Sequence, residues 1–494
     1  MGIRKNEKMK KRIPAIIILA AMLLSIGSCG SSGGGNDTDT TAANDTTTEA
    51  AATTDYIDTL GEKDFGGKTY TIIATPNLAI PILNMQSGEI TGEVLNDAQY
   101  NRDKAVEERY NVVIDYPAAD PDNTDKMVTN AGLAGDFIGN IYIDALREGK
   151  NGMSFTFTHG SLMNLLDLPY LQLDKEWWSS LTYKNLQYNG KMFYTSGDLA
   201  INSFIGAGCV YMNTNLAEKY GVDENALYKK VYDGTWTIDE LYSITKDMDL
   251  DLNNDGKMDC VNDFYGLVLE SNTLTSNLLL TSCGVHLCDT DPDTGNLTVN
   301  LGVQNVVSII DKLANEFQLI DNAGDNTNLF DKNFKLDKSL FAIHYVESSL
   351  RRFRDMESDY VIYPMPKYSA EQESYVSFLN PWVKAFIAAP IVQEDKEMTG
   401  FITEVLEYMT VRDVRPAVID ITLKGKALRN DDSIAMLDLI FDTTYIDFNG
   451  IYNFGNSLGV VNNAIFNDKP YASSYAKIES KMNGALDDFM SMFE

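Results

Sequence analysis

The run DLNNDGKMDCVND, Asp251 to Asp263, sets oxygen-bearing side chains at alternate positions with glycine at the sixth. Calcium takes six to eight oxygens, and a loop of this spacing supplies them from its first, third, fifth, seventh and ninth positions. The ligands expected are Asp251, Asn253, Asp255, the carbonyl of Lys257, and Asp259, with Gly256 making the turn. The twelfth position is Asn262 where a bidentate glutamate would stand, so Asp263 or a distant carboxylate must complete the shell. The same Asn/Asp/Gly composition also makes a metal-free turn, and both readings stay open.

Other patterns exclude chemistry. GNSLG, Gly455 to Gly459, has the form of a hydrolase nucleophile elbow, which needs a histidine after the serine. His159, His286 and His344 all precede it. GEKDFGGKT, from Gly61, is one residue too long for a phosphate-binding loop and precedes a strand instead of following one. Three scattered histidines argue against zinc. The two carboxylates of a glycosidase, by contrast, are easily supplied by a chain with 71 acidic residues, so counting leaves that chemistry open.

The amino terminus has its own logic. Six basic residues in the first twelve precede Ala15–Ile26, where only Ser25 is polar. This is a secretory leader, too short for a comfortable membrane span of about 20 apolar residues. The sequence Ile26-Gly27-Ser28-Cys29 resembles the lipobox of bacterial lipoproteins. That resemblance implies a signal peptide over 1–28 and lipidation of Cys29, which would hold the protein on the bacterial cell membrane, outside the cytoplasm. From Gly30 to Thr54 the chain is polar and small, with nothing to bury. A flexible tether is expected over 29–60, its 25-odd polar residues spanning about 25–30 Å.

The 434 residues that remain exceed one core and suit two lobes. The formal charge of −31 becomes −36 once the leader's six basic and one acidic residues are removed, which disfavours nucleic acid as a partner. Cys209, Cys260, Cys283 and Cys288 could pair in three ways or stay as free buried thiols.

Strand and helix patterns alternate along this body. GGKTYTIIAT reads as turn and strand, and GEVLNDAQYNRDKAVEERYNVVIDYP as helix and strand. GCVYMN is a strand and TNLAEKYG a short helix; in WTIDEL a helix starts at the cap Thr237 with Glu240 three residues on. VVSIIDKLANEFQL, MTGFITEVLEYMTV and DSIAMLDLIFDTTY are amphipathic helices. The order predicts an α/β protein with parallel sheets.

Five segments in order after the lipobox carry a wider resemblance: YNRDKAVEERYNV, EWWSSL with GKMFYTSGD, VYMNTNLAEKYG, DGTWTIDEL and VIYPMPKYSAEQESYVS. The chain resembles the carbohydrate-type solute-binding lipoproteins of ABC importers. The resemblance implies a two-lobed periplasmic-binding-protein-like fold of type II, with the solute held in the cleft between lobes. Carried onto this chain, lobe one is 61–197 plus 385–413 and lobe two 208–374 plus 414–494, joined by crossings at 198–207 and 375–384. The expected partners are a sugar, ABC permease subunits and, through Cys29, the bilayer; the receptor is expected as a monomer. The resemblance also implies that a loop such as Asp251–Asp263 can hold a structural calcium, as it does in some carbohydrate-binding relatives.

Sugar faces stack on aromatic rings while hydroxyls need fixed polar partners. On that basis Trp177 and Trp178 are candidates, one of them facing the cleft since neighbouring side chains point apart. Trp382 and Asp198 are placed at the crossings. Tyr211 and Asn213 match the family's Tyr-x-Asn strand, and Tyr345 and Glu347 a cleft-lining segment. Trp236, just before a helix cap, reads as packing. A surface carbohydrate-active enzyme, or the same receptor binding a peptide or polyamine, are the alternatives.

Overall fold

Asn111 adopts a left-handed conformation (φ 51°) and ends a seventeen-residue helix, so that the next residue already lies in a strand. This strand–helix–strand start recurs through the computed structural model, which describes residues 55–76, 88–147, 151–201, 205–317, 332–423 and 430–494. The leader, Cys29 and most of the expected tether lie outside the described residues.

Twelve strands are described: β1 (Lys68–Ala74), β2 (Val112–Asp115), β3 (Ile141–Asp144), β4 (Gly208–Asn213), β5 (Tyr265–Val268), β6 (Cys288–Thr290), β7 (Leu297–Val299), β8 (Ser339–Tyr345), β9 (Tyr360–Pro364), β10 (Ser377–Phe378), β11 (Phe386–Ala388) and β12 (Thr444–Tyr445). The first main sheet has the order β11-β3-β1-β2, with β11 alone antiparallel. The second has the order β5-β8-β4-β9, with β4 antiparallel to both neighbours. β8 is buried at every position, as a strand covered on both faces must be. The two sheets centre two lobes.

Helices that matter below are α1 (Tyr56–Thr59), α2 (Val94–Tyr110), α3 (Thr214–Tyr220), α4 (Ile238–Thr245), α5 (Thr273–Ser282), α6 (Gln304–Phe317), α7 (Lys396–Met409), α8 (Arg415–Leu423) and α9 (Asp431–Asp442). α7 packs on β1 and α2, and α9 on β9. Between α7 and α8 the backbone makes one π turn, Thr410–Val414. α1 corrects the expected end of the tether. Tyr56 packs on Trp177 with ring centroids 4.2 Å apart and planes tilted by 45°, and Ile57 is buried, so folded structure begins at about Tyr56. All four body cysteines are free and buried. Among the described residues no helix is long and apolar enough to cross a membrane.

The chain passes between the two sheets three times: between Ile201 and Gly208, at 379–385, and after the π turn, where α8 touches both α2 and the Glu347–Leu350 segment. The first two passages are hydrogen-bonded to each other, Asn380 N donating to Gly206 O at 3.0 Å. Ala207 also bridges Leu379.

Candidate functional site

In open α/β sheets ligands bind beyond the carboxyl ends of the strands. Here both sheets point those ends at the paired passages. Val346 N donates to Ala207 O at 2.9 Å and Glu347 N to Ile205 O at 2.8 Å, tying the end of β8 to the first passage. Leu146 N and Arg147 N both donate to Pro381 O, at 3.1 and 3.2 Å, tying the end of β3 to the second. Arg147, held at φ 46°, turns back to Asp144 at 3.4 Å.

On the second sheet a polar cluster closes this edge. Glu270 follows β5 and is almost buried, with Asn272 Nδ2 donating to it at 3.0 Å. Asn272 also caps α5 through the amide of Thr275. His344, Tyr345 and Glu347 come from the end of β8. His344 Nε2 stands 3.6 Å from Glu270 Oε1, and its Nδ1 meets Ser348 Oγ at 2.7 Å. Arg352 lies between the carboxylates, 3.6 Å from Glu270 and 3.5 Å from Glu347. Burial opposes ionisation of Glu270, but His344 and Arg352 outweigh it and hold the carboxyl below its ordinary range. The Tyr345 hydroxyl is buried with no hydrogen-bond partner, and burial beside Glu270 and Glu347 pushes its pKa well above ordinary. An orphaned buried hydroxyl costs stability.

The expected site residues separate into two groups. Tyr345 and Glu347 fall in this cluster, and Trp382 stands on the second passage, 45% exposed. The others are corrected. Asn213 sits at the opposite end of β4, where it caps α3 through Leu216 N and donates to Asp337. Tyr211 is fully buried behind the edge, its hydroxyl donating to the carbonyls of Tyr345 and Val346. Trp177 and Trp178 both donate their indole N–H to the buried carboxylate of Glu404 on α7, at 2.8 and 2.9 Å, and so belong to lobe packing. Asp198 is buried and accepts from Arg415 Nε, which removes it from service as an open hydroxyl acceptor. Trp236 is wholly buried and donates to Pro364 O at 2.9 Å, the packing role its position suggests.

Glu270, His344, Arg352 and Arg147 were not anticipated. A signal existed: Glu270, Arg352 and Arg147 follow closely on apolar strands and His344 sits within one, as in YGLVLE and FAIHYVESSLRR.

In the Asp251–Asp263 loop the carboxylates turn to its own amides. Asp251 accepts from Gly256 N, Asn253 from Asp255 N, and Asp255 from Lys257 N, each at 2.9 Å. The Asn262 side chain and the amides of Asn262 and Val261 hold Asp259 below its ordinary range. Asp263 is fully buried with both oxygens on the amides of Leu252 and Asp259, so it braces the loop instead of completing a shell. Asp251 Oδ1 is buried and without a partner. Among the described residues no three His, Cys, Asp or Glu side chains converge as a metal site.

No protein-family model matches the chain, and no curated protein matches it in sequence. Solved structures do match in shape. The GacH receptor of Streptomyces glaucescens GLA.O, solved unliganded and with acarbose and an acarbose homolog, is 14% identical, with TM-score 0.50, over 85% of this chain and 99% of that one. A cyclo/maltodextrin-binding protein complexed with maltotetraose is 13% identical, with TM-score 0.53, over 86% of this chain and 96% of that one. The fold is therefore the two-lobed α/β fold of periplasmic-binding-protein type.

Proposed function

We propose that this protein is the solute-binding receptor of an ABC importer and captures a carbohydrate, an oligosaccharide above all, between its lobes. The observation that carries the reading is the buried, unpartnered Tyr345 hydroxyl near Glu270 and Glu347, at the sheet edge tied to the first passage, with Trp382 exposed on the second. Fixed acceptors beside an aromatic face suit a sugar, whose hydroxyls and C–H faces need both. The two similar structures, solved with acarbose and with maltotetraose, support this class of ligand. The protein performs no chemistry on it; its work is the difference in affinity between open and closed lobes. A glycan panel probed with the full chain, followed by calorimetry on the hits, tests the reading. Release of shorter sugars from those hits would favour a carbohydrate-active enzyme, and binding of peptides or polyamines alone would overturn the sugar assignment.

The receptor is held outside the cytoplasm by lipid on Cys29 and serves permease subunits as a monomer. Labelled palmitate entering the wild type but not Cys29→Ser supports the anchor, and equal labelling refutes it.

The Asp251–Asp263 loop holds one structural calcium through Asp251, Asn253, Asp255, the Lys257 carbonyl and Asp259. The orphaned Asp251 Oδ1 supports this reading, since a cation would satisfy it. When bound, the ion would fix the loop and take no part in ligand chemistry.

A further inference from the structure

Each of the three passages between the sheets carries one charged side chain at the joint. Asp198 comes from the approach to the first, Lys384 from the second, and Arg415 from the helix that follows the π turn. Glu407, on α7 just before that turn, is the fourth. Its carboxylate accepts the amides of Asp198 at 2.6 Å and Leu199 at 2.8 Å, and Gly197 leaves room for it, since a Cβ there would lie 2.5 Å from Oε2. Arg415 Nε donates to Asp198. Lys384 is fully buried, its ammonium 5.3 Å from the centre of the Phe386 ring and its Cβ 3.2 Å from where a Cβ on Gly206 would stand.

Two-lobed proteins change shape by rotation about the segments that join the lobes. Those segments ordinarily avoid buried charge, because a lone ion in the interior is costly. Here three buried groups, Asp198, Lys384 and Glu407, and the partly exposed Arg415 are gathered at the joint, so any rotation that separates the passages also rearranges the charges. We propose that Asp198, Lys384, Glu407 and Arg415 form a proton-sensitive joint, in which protonation of Lys384 disfavours the arrangement of passages seen here.

The direction follows from what surrounds the amine. Burial acts most strongly on Lys384 and favours its neutral form; Asp198 and Glu407 resist that in part and bring it to about 7. Glu407 is pushed the other way by burial and Asp198, with the amides of Leu199 and Asp198 and then Arg415 opposing, while Asp442 on α9 adds to the charge around Arg415 and faces Asp438. A conformer that hydrates Lys384 accepts the proton more readily and gains population as pH falls. The inference rests on the two-lobed receptor reading but needs no ligand.

Spin labels on the full chain, at Leu133→Cys in lobe one and Val303→Cys in lobe two with Cys29→Ser as background, report the distance between lobes; both labelled positions are exposed. Between pH 6 and 9 the wild type should show two distance populations. Their ratio should shift several-fold per pH unit near 7, and by no more than about tenfold per unit for one proton. Lys384→Met should hold one population throughout, and Lys384→Gln serves if that variant fails to fold. A wild-type ratio indifferent to pH, or a Lys384 variant that keeps the wild-type midpoint, overturns the proposal. If a sugar closes the lobes while the ligand-free ratio ignores pH, this joint alone is wrong. If pH moves the lobes and no sugar binds, the sugar reading fails and the joint stands.

Discussion

Trp178 donates its indole N–H to Glu404 Oε2 at 2.9 Å across 226 residues of sequence. Trp177, Tyr56 and the Gln172 amide donate to the same carboxylate, at 2.8, 3.0 and 3.0 Å. Glu404 is fully buried, and four donors from two distant segments meet on it.

Removing it should therefore be felt as instability. Glu404→Ala leaves buried donors unpaired, each costing about 1–3 kcal/mol. A loss of at least about 3 kcal/mol is expected by urea denaturation, with Glu404→Gln losing less. Ligand affinity in the folded fraction should hold. An unchanged urea midpoint would show that the cluster is ornamental.

Tyr345→Phe should split stability from binding. The hydroxyl has no partner, so its removal should leave the melting temperature level or slightly raised. Sugar affinity should fall about tenfold, or about 1.4 kcal/mol, if the hydroxyl meets the ligand. Calorimetry showing full affinity would take Tyr345 out of the site.

Trp382 and Trp236 form a contrasting pair, one 45% exposed and the other fully buried. Trp382→Ala should weaken a sugar by about 2 kcal/mol as a stacking platform, with little effect on melting. Trp236→Ala should lower stability by about 3–5 kcal/mol and leave the intrinsic Kd alone. The reverse pattern would place the cleft elsewhere.

Lys384 makes stability depend on pH with a defined sign. Its amine lies near 10.5 unfolded and about 7 folded, so between those values the unfolded chain holds more protons. The burial penalty is complete below 7 and is relieved as pH rises toward 10.5, by about 5 kcal/mol at most. Lys384→Met removes this slope. The gap in unfolding free energy between variant and wild type should therefore narrow from pH 6 to pH 9.5, and a constant gap would contradict the assignment.

Calcium should raise the melting temperature and chelator lower it, by about 2.7 kcal/mol at a hundredfold excess over Kd. Asp255→Asn should blunt the response. A melting curve indifferent to both additions would leave the loop as a plain turn.

What could be read from sequence was local. Thr237 Oγ accepts from Glu240 N at 3.3 Å, four residues of chain making their own cap. The β1–α2–β2 start follows from β-branched runs around a helix ended by Asn111. Asn213 carried an equally local signal, since its side chain caps α3, and it was passed over for a motif match. Trp177 and Trp178 could not be placed the same way, because only the fold brings Glu404 beneath them. The same holds for Glu270 and Arg352, which meet because β5 and β8 end side by side.

β11 reaches across about 240 residues to complete the first sheet, pairing Phe386 with Asp144. Until that late segment leaves the ribosome, β3 presents a bare hydrogen-bonding edge, a place where unfinished chains stick to one another. Long-range pairing also slows folding. A chain cut short before residue 386 should therefore accumulate as aggregate even though β1, β2 and β3 are all present.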